Sequence, residues 1–239
     1  MHAISISDIS EIYGITQLAS SICHMLDLGD NGTSTWQWDY HTDMLPLTFH
    51  FLDMWTNFHL AVYGFNDFYK TEYISIHCKP ERDGRGAQFS PVFIEVNPLA
   101  TGIHCEYSII FHSYGFHYNK FKGYRPAEVR IVFRPRQSLR HPDLDGKLYA
   151  FVCWYSKIPQ RPNQLTKMYK VSHKLDMHGQ WRSGVVKLSQ LKGLCPLAPS
   201  IKGESPSGIM MDNCFNTISD YHINHFSSHS LFRHLHSMQ

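Results

Sequence analysis

The chain has 239 residues, of which 43% are hydrophobic and 18% are charged, so it has enough apolar material for one globular core and does not read as disordered. It contains no run of roughly 18 uninterrupted apolar residues, as a membrane-spanning helix needs, and no basic start followed by an apolar block. We therefore expect an intracellular protein without a membrane partner, with six cysteines that are reduced and mostly buried because no short regular spacing links them.

One amphipathic helix is predicted near the N-terminus. Asp8 and Glu11 have the spacing of a capping box, and apolar side chains follow at helical intervals until Gly29. The helix is expected over residues 8–26. We assign residues 1–43 to an N-terminal helical segment.

The middle of the chain predicts β-strands. From Leu52 to Val62 the residues alternate with a period of two, which is typical of a strand. Further short strands are bounded by proline, glycine or Asn/Asp clusters, and they fit residues 72–78, 91–96, 127–133, 148–156, 167–172 and 184–188.

A second helix is predicted from Met211 to Phe226, with Asp212 near its start. The expected fold class is mainly β, of the α+β type. We predict a small antiparallel sheet or partly open barrel, flanked by an N-terminal and a C-terminal helix.

One stretch departs from the surrounding composition. Residues 103–122 are dominated by Ile, Phe, Tyr, Asn, Lys and His, residue types whose codons, His apart, are rich in A and T. Two interpretations stay open, a translated intron and an aromatic hairpin. We therefore predict a β-rich domain over residues 44–232, interrupted by this insert, and a tail at 233–239.

Charge is distributed unevenly along the chain. Residues 1–123 carry 6 basic and 13 acidic side chains, giving −7, whereas residues 124–192 carry 14 and 4, giving +10. Residues 193–239 carry 2 and 3, giving −1. Such a basic segment suits an anionic partner, although a solvated surface is the simpler interpretation.

The strand predicted at 127–136 carries three arginines in a period-two pattern. Arg130, Arg134 and Arg136 should share one face, which we call the arginine face, with Val129, Ile131 and Phe133 on the other. Further basic residues follow at Arg140, Lys147, Lys157, Arg161, Lys167 and Lys170.

Arginine forks bind phosphate oxygens bidentately, so the arginine face is the best-defined candidate for nucleic-acid contact. From the residues that follow it we add Arg140, Lys147, Lys167 and Lys170 to the candidate set. The alternative is cross-strand pairing of these arginines with Asp or Glu from the acidic N-terminal third.

Two other groups of residues suggest weaker hypotheses. Tyr149, Phe151, Trp154 and Tyr155 could stack on bases, but core packing is the favoured interpretation. His222, His225 and His229 would lie near one face of a helix and could bind a metal, yet spacing identifies no further ligand.

No catalytic constellation is recognisable. The sequence contains no G-x-S-x-G elbow, Gly-rich phosphate loop or H-E-x-x-H motif. Asp39 with Asp43, and Asp143 with Asp145, lie in turn-like sequence and are poor candidates for a metal pair. We expect a protein that is not an enzyme and has neither cofactor nor metal.

Several segments match a family in order and spacing. They are AEVRIVFR at 127–134, LYAFVCWY at 148–155, MYKVS at 168–172, VVKL at 185–188, LCPLAP at 194–199 and NHFSSH at 224–229, with LP at 45–46 and DMWTNF at 53–58 upstream. This set resembles the C-terminal region of Plavaka-type (CACTA-like) transposon proteins of mushroom-forming fungi. The resemblance covers roughly residues 44–232 apart from 103–122, and departs where Pro196 replaces the family's histidine.

The resemblance implies a transposon-derived module without the RNase-H-like catalytic domain, which lies N-terminal to this region in the family. Together with the basic segment, it predicts a nuclear, non-catalytic module that contacts DNA or chromatin. The alternative is a protein-interaction or scaffold domain whose basic face meets an acidic protein and does not bind nucleic acid.

Overall fold

Antiparallel β-strands dominate the computed structural model, which describes residues 3–28, 50–64, 67–82, 84, 86–97, 123–136, 146–177, 179–201 and 218–227. The α-helices within these residues are α1 (Ile6–Tyr13) and α2 (Leu18–Leu28). The strands are β1 (Ala3–Ser5), β2 (Phe51–Trp55), β3 (Asn57–Gly64), β4 (Asp67–Lys79), β5 (Gln88–Phe89), β6 (Pro91–Glu95), β7 (Tyr124–Pro135), β8 (Tyr149–Trp154), β9 (Tyr169–Ser172), β10 (Ser183–Lys187), β11 (Leu191–Leu194), β12 (Leu197–Pro199) and β13 (Asp220–Ile223). The mainly β, antiparallel fold is confirmed, and no sheet of the described residues closes into a barrel.

Strand β7 is the centre of the largest sheet. One of its edges pairs with β6 near the N-terminal end and with β2 near the C-terminal end, while the other edge pairs with β8. Strand β10 lies beyond β8, β1 beyond β2, and β11 beyond β6. The remaining strands form two three-stranded sheets, β12-β13-β9 and β3-β4-β5.

The two faces of the largest sheet bury different cores. Along β8, Tyr149, Phe151 and Cys153 join a helix-side core that also contains the buried residues of α1 and α2. The alternate residues, Ala150 and Val152, join a hairpin-side core with apolar residues of β3 and β4. Period-two alternation therefore fills both sides of this strand, as expected for a sheet covered on each face.

The predicted N-terminal helix is two helices. Helix α1 ends at Gly14, whose φ of 62° is a left-handed conformation that favours glycine, and Ile15 N–H donates to Ser10 O at 2.9 Å. The N-terminal cap also differs from the prediction, because the Ser5 side chain accepts from Asp8 N–H at 3.1 Å. Both helices pack in the helix-side core with residues of β2, β7 and β8.

The predicted C-terminal helix is wrong in its described part. Residues 220–223 form β13, which pairs with β9 on one edge and β12 on the other. Tyr221 and Ile223 are fully buried, so this segment follows a two-residue period. A short 3-10 turn, His225–Ser227, follows, and residues 211–217 lie outside the described residues.

The strands predicted at 72–78, 91–96, 127–133, 148–156, 167–172 and 184–188 are confirmed as β4, β6, β7, β8, β9 and β10, with shifted ends. The run from Leu52 to Val62 splits at Thr56, because β2 joins the largest sheet and β3 pairs with β4. Residues 103–122 and 233–239 lie outside the described residues. Of the six cysteines, four are described, and they are buried thiols that form no disulfide: Cys23, Cys78, Cys153 and Cys195.

Candidate nucleic-acid interface

The arginine face does not exist as predicted, because β7 contains a β-bulge. The register with β8 shifts between Val129 and Ile131, so the alternation restarts there. Val129 and Val132 both belong to the hairpin-side core, whereas Ile131 belongs to the helix-side core. Arg130 consequently lies on the helix side, and Arg134, two residues after Val132, lies on the hairpin side.

Arg130 is part of a largely buried network. Its Nη1 lies 2.5 Å from Glu128 Oε1, and its guanidinium carbon lies 4.0 Å from the Phe89 ring centroid and 5.2 Å from that of Trp181. The Tyr155 hydroxyl donates to the other Glu128 oxygen at 3.3 Å. Burial raises the pKa of Glu128, and the charge of Arg130 opposes that rise. This arginine therefore compensates an internal carboxylate.

Arg134 and Arg136 share a carboxylate from the acidic N-terminal third. Arg134 Nη2 donates to Asp53 Oδ2 at 2.9 Å, and Arg136 Nε lies 3.7 Å from Asp53 Oδ1. Asp53 is the cross-strand partner of Arg134 on β2, and the guanidinium of Arg134 also lies over the Trp55 ring at 5.7 Å. For these two arginines the alternative, cross-strand ion pairing, is what the structure shows.

The predicted lysines lie apart from the arginines in the fold. Lys170 on β9 forms an ion pair with Asp220 on β13 at 2.7 Å. Lys147 and Lys167 are exposed, and Lys167 has a φ of 57° in a turn where the Asn163 side chain accepts from two backbone N–H groups. Arg140 lies outside the described residues.

A different set of cations meets at the end of β8. We call Arg125, Lys157, Lys174 and Arg182 the basic cluster. Trp154 N–H donates to Arg182 O at 2.8 Å, Lys174 N–H donates to Trp154 O at 3.2 Å, and Arg182 N–H donates to Lys174 O at 2.6 Å. These three bonds fix the backbones of Lys174 and Arg182 beside Trp154.

Arg125 and Lys157 reach the same place from other segments. Arg125 Nε donates to Tyr155 O at 3.2 Å, and its guanidinium carbon lies 4.6 Å from the Trp154 ring centroid. Lys157 follows Ser156, whose N–H donates to Ser172 O at 2.8 Å. Lys157, Lys174 and Arg182 are exposed, and Arg125 is half-buried.

Repulsion within the basic cluster lowers the pKa of two of its members. Repulsion from Arg182 is the main cause that lowers the pKa of Lys174, with Arg125 and Lys157 adding to it. Burial, followed by repulsion from Arg182, lowers the pKa of Arg125 to about 10. Within the described parts of the chain, none of the four forms an ion pair with a carboxylate. This combination makes the basic cluster the strongest candidate for anion binding.

Sequence reasoning named only one member of the basic cluster, Lys157, and placed it outside the candidate set. All four members lie in the basic segment 124–192, so the high positive charge of that segment was the sequence signal that pointed to them. Their convergence depends on pairings between β7, β8 and the hairpin at 174–182, which no local pattern shows.

The aromatic residues pack as the favoured interpretation predicts. Tyr149, Phe151 and Tyr155 are buried. The Trp181 ring stacks on His173 with centroids 4.0 Å apart and planes 6° apart. Arg130 also lies against that ring. Trp154 is half-buried, packs against the hairpin-side core and has the Arg125 guanidinium over its ring.

The described histidines of the proposed metal site do not lie on one α-helix. His222 lies on β13, and His225 is buried in the following turn, while His229 lies outside the described residues. No group of three or more His, Cys, Asp or Glu residues suited to a metal ion occurs in the described ranges. Both Asp pairs, 39 with 43 and 143 with 145, lie outside those ranges.

Comparison with known proteins adds no identification. No protein-family model, curated protein or solved structure matches this chain. Among the described helices, none is long and apolar enough to cross a membrane.

Proposed function

We propose that this protein is a non-catalytic, transposon-derived module that contacts nucleic acid or chromatin through the basic cluster. The observation that carries the proposal is a group of four neighbouring cations at the end of β8 that form no ion pair with the described residues. Such a surface attracts an anionic polymer because binding relieves the mutual repulsion of the cations and releases counterions from the polymer.

The chemistry of the basic cluster favours phosphate as the ligand. Two of its members are arginines, whose planar forks match phosphate oxygens. Its two lysines are exposed point charges that can follow a backbone without reading a sequence. We therefore expect sequence-independent and strongly salt-dependent binding.

The proposed origin and location rest on the sequence. The resemblance of residues 44–232 to the C-terminal region of Plavaka-type transposon proteins supports a transposon origin in a fungus. A protein of that origin that binds DNA would act in the nucleus.

A protein-interaction function is the second candidate, and exposed apolar residues favour it. Leu175 and Met177 lie in the segment between Lys174 and Arg182 and are 53% and 74% exposed. An acidic protein could contact both the cations and these apolar side chains. It would then bind the cluster in a manner that depends on residues 175 and 177.

The test compares two charge-matched double variants. Lys174→Ala with Arg182→Ala removes two cations from the basic cluster, and Arg134→Ala with Arg136→Ala removes two from the former arginine face. We expect the wild type to bind labelled duplex DNA about a hundredfold more weakly at about 200 mM than at about 50 mM salt, as roughly four phosphate contacts predict. The measurement is fluorescence anisotropy.

The cluster variant should lose at least about tenfold in affinity at low salt, and the arginine-face variant less than about twofold. Equal losses would show that net charge alone drives binding and would overturn the assignment of the site. Absence of salt-dependent binding by the wild type would overturn the nucleic-acid function.

A further inference from the structure

We propose that Arg125 forms a subsite for a phosphate monoester, so that the basic cluster prefers 5′-phosphorylated nucleic-acid ends to internal backbone phosphates. This inference rests on the proposed function. It deepens that function by naming the ligand group that the most constrained cation of the cluster would bind.

Arg125 is held in one orientation. Its Nε donates to Tyr155 O at 3.2 Å while its guanidinium lies over Trp154 at 4.6 Å. Its backbone is paired with Ile94 of β6. A guanidinium fixed in this way loses little conformational freedom on binding, which improves affinity for a matching anion.

One end of the guanidinium has no acceptor among the described residues. Arg125 Nη2 is shielded from solvent and has no hydrogen-bond partner in the described part of the chain. A shielded donor without a partner carries a free-energy cost, and an anionic oxygen beside it would remove that cost. The Arg182 side chain, whose charge acts on Arg125, is exposed and long, so it can turn toward an anion bound there.

The charges of the basic cluster lie close together. Lys174 and Arg182 are joined by a backbone hydrogen bond of 2.6 Å, and both are bonded to the backbone of Trp154. An internal phosphodiester brings one negative charge, whereas a phosphate monoester brings close to two charges and three acceptor oxygens at one point. The four neighbouring cations therefore complement the charge of a phosphate monoester better than that of one internal phosphodiester.

The experiment compares two versions of one blunt duplex, with 5′-phosphate or 5′-hydroxyl ends, binding to the wild type at the same salt concentration. We expect about tenfold tighter binding of the phosphorylated duplex, since charge-assisted hydrogen bonds to one extra anionic group contribute a factor of this order. Inorganic phosphate should abolish the preference for the phosphorylated duplex at a lower concentration than it needs to displace the hydroxyl duplex.

The variant Arg125→Lys keeps the charge and loses the fork. It should lower the ratio of the two affinities from about tenfold to about one, whereas a general weakening of the basic cluster would lower both affinities and leave their ratio unchanged. Circular dichroism checks its fold, and the comparison on the wild type stands without the variant.

Equal affinity of the wild type for both duplexes would overturn the subsite and leave the proposed function intact. Failure to bind either duplex would overturn both. Tighter binding of a phosphoserine peptide than of the phosphorylated duplex would overturn the nucleic-acid end as the ligand and with it the proposed function, because phosphoserine is also a phosphate monoester and the ligand would then be a protein.

Discussion

The former arginine face and the basic cluster come from the same basic segment and have opposite electrostatic surroundings. Arg130, Arg134 and Arg136 each lie within 2.5–3.7 Å of a carboxylate oxygen of Glu128 or Asp53. The cluster has no such partner among the described residues, and repulsion from Arg182 contributes to the lowered pKa values of Lys174 and Arg125. Local basic composition is therefore a poor guide to a binding surface, because compensation depends on which strands pair.

The two regions also differ in what they contribute to the fold. The Glu128–Arg130 pair is largely buried and tied to Tyr155, so it is part of the interior. The exposed side chains of Lys157, Lys174 and Arg182 add repulsion and no packing comparable to that of the interior pair. We expect mutations in the first region to change mainly stability, and mutations in the second to change mainly affinity.

The largest effect should come from Glu128→Gln. It leaves Arg130, whose side chain is 15% exposed, without its carboxylate, and breaking a buried pair typically costs about 3–5 kcal/mol. Urea denaturation measures the loss. The double variant Glu128→Leu with Arg130→Met removes both charges and should lose less, so equal losses would contradict a role in charge compensation.

The next effect concerns Gln17, which ties the N-terminal helices to the hairpin that carries half of the cluster. Its Nε2 donates to Asp176 Oδ2 at 3.0 Å and to Gln180 Oε1 at 2.7 Å, and Ser183 Oγ donates to its Oε1 at 2.5 Å. Gln17→Ala should lower the free energy of unfolding by about 1–2 kcal/mol and loosen the hairpin, since partly exposed hydrogen bonds contribute modestly.

Amide hydrogen exchange at Arg182 checks the loosening, and DNA affinity should fall by a few fold with it. Gln190→Ala is the matched control. The Gln190 side chain likewise makes more than one hydrogen bond, since it accepts from Lys187 N–H and donates to Glu95 O, but it lies away from the cluster. If both variants weaken DNA binding equally, the hairpin is not positioned by Gln17.

A pH series separates the two regions further. Only protonated cations attract an anion, and repulsion from Arg182 lowers the pKa of Lys174, while burial together with the same repulsion lowers that of Arg125. Affinity should therefore fall by about fivefold as the pH rises from about 7.5 to about 10, with a sulfated polysaccharide as a ligand whose own charge stays constant. The variant Lys174→Ala with Arg182→Ala should show a smaller fall.

Stability sets the upper limit of that series. Burial raises the pKa values of Cys78 and Cys153 to about 12, so the unfolded chain loses these protons first. The stability that these two thiols contribute is therefore fully present below their unfolded-state pKa of about 8.5. It is lost progressively as the pH rises toward their folded-state pKa of about 12. Circular dichroism at each pH distinguishes weaker binding from unfolding.

Much of the fold could be predicted from the sequence, because period-two alternation marks strands such as β8 whose faces enter different cores. The bulge after Val129 could not, since it depends on the register with β8. Gly14 gave a local signal for ending α1, but the continuing apolar periodicity concealed it. At the C-terminus, burial of Tyr221 and Ile223 between two partner strands outweighed a weak helical pattern.

The candidate site was harder to predict than the fold. Its members lie at positions 125, 157, 174 and 182, and they meet only because β7, β8 and the following hairpin are neighbours. A local pattern can select side chains on one strand, as it did for Arg134 and Arg136. It cannot show that Asp53 lies opposite them.

The smallest effect should come from Asp53→Asn. This variant tests whether Arg134 and Arg136 contribute little to DNA binding only because Asp53 neutralises them. Arg134 and Arg136 are 38% and 56% exposed, so their pairs with Asp53 should contribute no more than about 1 kcal/mol to stability. The substitution removes the carboxylate that both arginines contact, and DNA affinity should rise by about two- to threefold at low salt.

Glu81→Gln is the matched control, because Glu81 is exposed and forms no ion pair with the described residues. It changes the net charge by the same amount without releasing an arginine. A rise for Asp53→Asn above that of the control would mean that the face retains a phosphate-binding geometry that Asp53 masks. Equal rises would mean that Arg134 and Arg136 act only within the fold, because the bulge has left them too few neighbouring cations to hold a polyanion.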